Sequence, residues 1–118
     1  MIVIHGRIPS KKNSRKHIRV KGKPMSIPSD RYTVWHNSAM LQVNTQRDKS
    51  RPGTTGMQLD FYFPDNRKAD LTNKAESIMD LLVDARIIKD DSWQEVGFIV
   101  LKSCGIDRKE PRCEIGFL

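Results

Sequence analysis

MQLDFYFPDNRKADLTNKAESIMDLLVDAR, residues 57–86, decides the fold. Met57, Leu59, Phe61 and Phe63 alternate with Gln58, Asp60 and Tyr62, a period of two that predicts a strand with one apolar face. Pro64-Asp65-Asn66 then turns the chain. Beyond it Ala75, Ile78, Met79, Leu82 and Ala85 recur at three- and four-residue spacing, the apolar stripe of an amphipathic helix expected over 73–86.

Working outward, Ile2, Ile4 and Ile8 alternate with Val3, His5 and Arg7, which predicts a first strand ended by Pro9. Residues 10–28 lose all periodicity and read as a long basic loop with a short hairpin through Ile18 to Ile27. Ser29 or Asp30 can cap a helix running to about Gln46, with Tyr32, Trp35, Ala39 and Val43 on one side. Residues 47–56 form a linker rich in charge, Pro and Gly. After Lys89-Asp90-Asp91-Ser92, strands are expected from about Gln94 to Cys104 and from Arg112 to Phe117. This order predicts an α+β fold with a mixed sheet and two main helices, one domain over 1–118.

A hydrophobic content of 37% is low for a self-sufficient core and leaves room for burial against a second copy. No run approaches the roughly 20 apolar residues of a membrane span, and Met1-Ile2-Val3-Ile4 is too short for a signal-peptide core. The expectation is therefore a cytoplasmic protein with no membrane partner. Cys104 and Cys113 have no metal-binding spacing; they are expected as reduced thiols, although a hairpin would let them face each other.

The net charge of +7 is unevenly placed: residues 1–56 carry twelve Lys and Arg against two acids, and residues 57–118 carry nine against twelve. A basic half attracts a polyanion, whereas gathered carboxylates oppose phosphate unless a cation lies between them. That combination points to a metal-dependent enzyme acting on nucleic acid.

Three stretches carry candidate chemistry. Lys11 to Lys23 holds seven Lys and Arg and no acid, interspersed with Asn13 and Ser14, whose amide and hydroxyl also bond phosphate oxygens. As an alternative it is a solvated loop. At the strand–helix junction, Asp70 would be held between rigid elements, as a metal ligand needs. Asn73, Glu76, Asp80 and Asp84 follow on one polar stripe, which equally reads as a capping box from Asn73 to Glu76 and an ordinary wet face. Asp90-Asp91 is either an exposed turn or, if the fold brings it to Asp70, the second half of a magnesium site. Phosphate loops, dinucleotide fingerprints, nucleophile elbows and zinc-spaced Cys/His sets are absent, and His5, His17 and His36 lack the context of a nucleophile dyad.

The chain resembles the RusA-like Holliday-junction resolvases over nearly its whole length. The resemblance rests on Pro9-Ser10-Lys11-Lys12-Asn13-Ser14 after the first strand, on Leu59 to Phe63 leading through Pro64-Asp65 into Asp70-Leu71-Thr72-Asn73, and on Asp90-Asp91 before a strand. The family pattern at the junction is D-L-D-N-x-x-K. Asp70, Asn73 and Asp91 match it, whereas Thr72 stands where the family often has an aspartate and Glu76 where it has a lysine.

The resemblance implies a homodimer that nicks opposed strands of branched, four-way DNA with Mg²⁺, or Mn²⁺ as substitute. It implies catalytic roles for Asp70, Asp91 and Lys74, the last supplying its cation two residues early. It implies metal ligation by Asp70, Asp91, Asp90 and Glu76, and DNA contacts from Lys11, Lys12, Asn13, Arg15, Lys16, Arg67, Lys68 and Asn73. The departure at Thr72 leaves one alternative, a structure-selective DNA-binding protein with weakened or lost catalysis; a further one is a general basic nucleic-acid module with no junction preference.

Overall fold

The computed structural model describes residues 1–10, 15–51, 53 and 55–118. Four strands build a mixed sheet in the order β1 (Ile2–His5), β6 (Arg112–Phe117), β4 (Gly56–Phe63), β5 (Phe98–Ile106). β6 runs antiparallel to both neighbours, while β4 and β5 are parallel. A parallel pair needs a crossover, and helix α2 (Leu71–Asp84) supplies it. Helix α1 (Asp30–Asn44) and the separate hairpin of β2 (Arg15–Val20) and β3 (Lys23–Pro28) complete a small α+β fold.

Alternation places Met57, Leu59 and Phe61 of β4, Cys113 and Ile115 of β6, and Ile2 and Ile4 of β1 in one core. Ala39 and Val43 of α1 join it, as do Ala75, Ile78, Met79 and Leu82 of α2. Burying each large apolar side chain contributes about 1.5–3 kcal/mol, so this layer dominates the stability. The outer edge of β1 is closed by α1. Gln46 accepts from the Val3 N–H at 2.9 Å and donates to its carbonyl at 2.8 Å, and Gln42 accepts from the His5 N–H at 2.7 Å. An edge strand covered in this way offers no row of free amides to a stray chain.

Several sequence expectations change. β1 stops at His5, because Gly6 turns with φ +99° and donates to Pro111. The basic segment is more ordered than a loop: β2 and β3 pair from Arg15↔Pro28 to Val20↔Lys23 across a two-residue turn. Lys21 (φ 51°) and Gly22 (φ 77°) both take the left-handed conformation that such turns need. β5 begins at Phe98 and extends to Ile106, past a register shift opposite Phe61 and Phe63 that Gly105 accommodates at φ +90°. β5 and β6 are not a hairpin, since β4 lies between them; Cys104 and Cys113 are both free.

Helix α2 starts at Leu71 rather than Asn73, with Asp70 as its N-cap. Asn73 therefore lies inside the first turn and makes no capping box with Glu76. Aspartate is a strong cap, and its charge also suits the positive end of the helix dipole.

Candidate functional site

The segment that enters the basic region is pinned to α2 by two side chains three residues apart. Lys74 Nζ donates to the Ile8 carbonyl at 2.6 Å, and the fully buried Ser77 hydroxyl donates to the Pro9 carbonyl at 2.6 Å. Between this segment, the end of β4 and the starts of both helices lies a cavity of about 200 Å³. Its charged walls are Arg7, Arg31, Arg67, Lys68, Lys74 and Arg112, against an apolar back that includes Phe61 and Phe63.

Asp65 belongs to this neighbourhood and is already engaged. It accepts from the Arg7 guanidinium and from the Arg67 N–H at 3.0 Å, with the Arg67 side chain at 3.5 Å. The backbone bond from Arg67, then that from Arg7, holds its carboxyl below the usual range. Arg112 lies 3.8 Å over the Tyr62 ring and is paired with Asp107 at 2.9 Å and Glu114 at 2.8 Å. Lys74 is pushed below the ordinary lysine range by burial first, then by Arg7 and Arg31.

A second recess adjoins the first and shares Arg31, Lys68, Ala69 and Lys74 with it. It adds Pro9, Ser10, Asp70 and Asn73. Asp70 and Lys74, both expected in catalysis, thus line one recess. Asp70 also accepts from the Thr72 N–H at 3.1 Å and the Thr72 hydroxyl at 2.7 Å.

Thr72 lines a third recess, of about 440 Å³, with Glu76 and Asp80 of α2, Asp91, and the apolar Ala75, Met79, Ile99 and Leu101. Of the acids expected at a metal, this puts Asp91 and Glu76 in one recess, together with Asp80 of the same polar stripe. The polar lining is entirely oxygen: three carboxylates and a hydroxyl, with no thiol or imidazole. Such a donor set fits a hard divalent cation such as Mg²⁺. Asp70 does not line this recess but touches it through Thr72. Asp90 does not line it either; its carboxylate accepts from the Asp91 N–H at 2.8 Å and so shapes the turn. Among the described residues no three His, Cys, Asp or Glu side chains converge closely enough to hold a metal ion.

The expected polar stripe on α2 is divided in space. Asn73 faces the basic side, Glu76 and Asp80 face the acidic recess, and Asp84 pairs with His36 of α1 at 2.8 Å. Arg15 and Lys16 stand on the exposed hairpin, where Lys16 pairs with Asp30 at 2.7 Å and Arg15 bonds Ser26 at 2.9 Å. Arg67 and Lys68 line the basic cavity as described. Lys11, Lys12 and Asn13 lie outside the described residues. Sequence reasoning missed Arg7 and Arg31. Each is an isolated arginine outside any charge run, and only the fold carries them to one cavity.

No helix among the described residues is long and apolar enough to cross a membrane. In comparison with known proteins, residues 8–116 match the family described as endodeoxyribonuclease RusA. No curated protein matches the chain.

Proposed function

Because the chain belongs to the endodeoxyribonuclease RusA family, we propose that it is a divalent-metal-dependent nuclease that resolves Holliday junctions and related branched DNA by paired nicks, acting as a homodimer in the cytoplasm. One observation carries this reading: an all-oxygen acidic recess and a strongly basic one lie side by side at the start of α2, linked by the Asp70–Thr72 hydrogen bond. Phosphate is attracted to the basic side, and the acidic side is tolerable to it only with a cation present.

Asp91 and Glu76, which line one recess, would hold the cation, with Asp80 adding negative charge beside them and Asp90 setting the turn that presents Asp91. When bound, Mg²⁺ or Mn²⁺ supplies Lewis acidity, making the attacking water more acidic and offsetting charge on the phosphate. Asp70, at the boundary of the two recesses, would face the reacting strand across the cation, whose charge offsets the repulsion between its carboxylate and the phosphate. Lys74, fixed by the Ile8 carbonyl, sets positive charge beside it, where charge gathers on the phosphate during cleavage. The hairpin residues Arg15 and Lys16, with Lys11, Lys12 and Asn13, hold the arms of the junction, and Arg67, Lys68 and Asn73 hold the strand to be cut. Twofold symmetry in a four-way junction suits a twofold enzyme with one site per subunit.

A second reading has an observation of its own. Thr72 offers only a neutral hydroxyl, and that hydroxyl is donated to Asp70. A protein that binds junctions without cutting them fits this. Incubating a mobile four-way junction with the protein, with and without Mg²⁺, separates the two. Symmetrical nicks that require Mg²⁺ establish the nuclease; tight binding with intact strands establishes the binder.

A further inference from the structure

We propose that the cavity walled by Arg7, Arg31, Lys68 and Lys74 is a preformed binding site for a phosphate group. The inference deepens the nuclease reading and rests on it for the source of the phosphate, a backbone phosphate of the DNA strand lying beside Asp70.

The argument is one of charge. Six cationic side chains line about 200 Å³. Two of them, Arg7 and Arg67, share Asp65, and Arg112 is matched by Asp107 and Glu114. That leaves Arg31, Lys68 and Lys74. Among the described residues Arg31 and Lys68 have no ion-pair partner, and Lys74 has only the Ile8 carbonyl, one acceptor for three donors. Like charges gathered round a partly enclosed space repel, and burial raises the cost because solvent screens them less. An entering oxyanion removes the repulsion and satisfies the spare donors together.

Phosphate fits better than a carboxylate. Its oxygens point in several directions, matching donors that come from β1's exit, the first turn of α1, the β4–α2 junction and α2 itself. The apolar back formed by Phe61, Phe63 and Pro64 gives an attached sugar a surface to lie on. The site shares Arg31, Lys68 and Lys74 with the recess that Asp70 lines, so a phosphate seated here fixes the strand relative to Asp70. Arg31 and Lys68 are then positioning residues that select which phosphodiester is brought to Lys74 and Asp70.

The test uses junctions in which one backbone phosphate at a time, around the nick, is replaced by an uncharged methylphosphonate. Binding is measured for the wild-type protein and for the Arg31→Gln/Lys68→Gln variant, both residues being exposed and outside the core. One position is expected to weaken wild-type binding about tenfold and to leave the variant nearly unaffected. A parallel titration with inorganic phosphate, followed by side-chain NMR of arginine and lysine, reads the site without DNA. Saturable phosphate binding that the variant loses, with no coupled position in the junction, assigns the site to free phosphate. Equal methylphosphonate penalties in both proteins together with no phosphate binding overturn the proposal. Failure of the wild-type protein to bind or nick any branched DNA counts against the nuclease reading, and the phosphate titration still decides the site.

Discussion

The Asp70 carboxylate accepts two hydrogen bonds from Thr72, one from its backbone N–H and one from its hydroxyl, and so both starts helix α2 and touches the residue that lines the acidic recess. Its structural and chemical duties are separable by substitution. Asparagine caps helices about as well as aspartate, while alanine costs roughly 1 kcal/mol at a cap. Asp70→Asn is therefore expected to unfold at nearly the wild-type temperature yet lose nicking, whereas Asp70→Ala loses both stability and nicking. Thermal unfolding beside a junction-cleavage assay reads the two, and near-normal nicking by Asp70→Asn would remove Asp70 from the chemistry.

Glu76 makes the sharper case. With Asp70 as the cap, Glu76 has no capping duty, so an effect of changing it cannot be credited to the helix end. Glu76→Gln is expected to raise the Mg²⁺ concentration for half-maximal cleavage severalfold, and Asp91→Asn to abolish cleavage with binding retained. Adding Thr72→Asp to Glu76→Gln should recover part of the loss, because position 72 lines the same recess. A normal magnesium titration for Glu76→Gln would exclude it as a ligand.

What the sequence revealed and what it hid divide along the range of the interactions. β4 and α2 were legible because periodicity is local: Leu59 and Phe61 alternate, and Ile78 and Leu82 lie one turn apart. The start of α2 is hidden because Asn73 and Glu76 imitate a cap, while Asp70, the stronger cap, also has the character of a ligand. The meeting of Asp91 with Glu76 and Asp80 depends on β5 pairing with β4, and no local pattern encodes that register. The hairpin was obscured by its charges, although Arg15, His17 and Arg19 alternate with Lys16, Ile18 and Val20.

That alternation gives the hairpin two unlike faces and orders its expected contributions to binding. Arg15 shares the polar face with His17 and Arg19, whereas Lys16 lies on the apolar face and is paired with Asp30. Neutralising Lys11, Lys12, Arg15 and Lys16 together should flatten the dependence of log K on log salt, by roughly 0.9 for each lost contact on duplex arms. Singly, Arg15→Gln is expected to flatten it more than Lys16→Gln. An unchanged slope for the fourfold variant would make the hairpin solvated surface.

Ser77 tests the tether between α2 and the segment before the hairpin. Its hydroxyl is fully buried, and removing it leaves the Pro9 carbonyl without that donor. Ser77→Ala is expected to cost about 1–2 kcal/mol in urea unfolding. A cost below a few tenths would show that the tether does not hold the segment.

Tyr32 predicts how stability fails in alkali. Burial, then the charges of Asp80 and Asp84, raise its phenol from the ordinary 10.0 to about 12. In the unfolded chain the phenol ionises at its ordinary value, so between pH 10 and 12 the unfolded state binds fewer protons and stability falls with pH. The contribution is intact below pH 10 and its loss is complete above 12, amounting to about 2–3 kcal/mol. Tyr32→Phe should lack this component, and parallel denaturant titrations from pH 9 to 12 measure it. Identical pH slopes for the two proteins would sink the assignment.

The strand order has a consequence for biosynthesis. β6 follows both β1 and β4 in the chain, yet it lies between them and is what joins them. A nascent chain leaving the ribosome can form α2 and pair β4 with β5, but it cannot close the sheet until Arg112 to Phe117 has emerged. Until then Ile2, Ile4 and Leu59 have no strand between them and the core is open. Translation that stops a few codons before β6 should therefore yield chains for proteases rather than a weakened protein. Folding here waits for β6, which keeps the assembled site from existing before that strand is made.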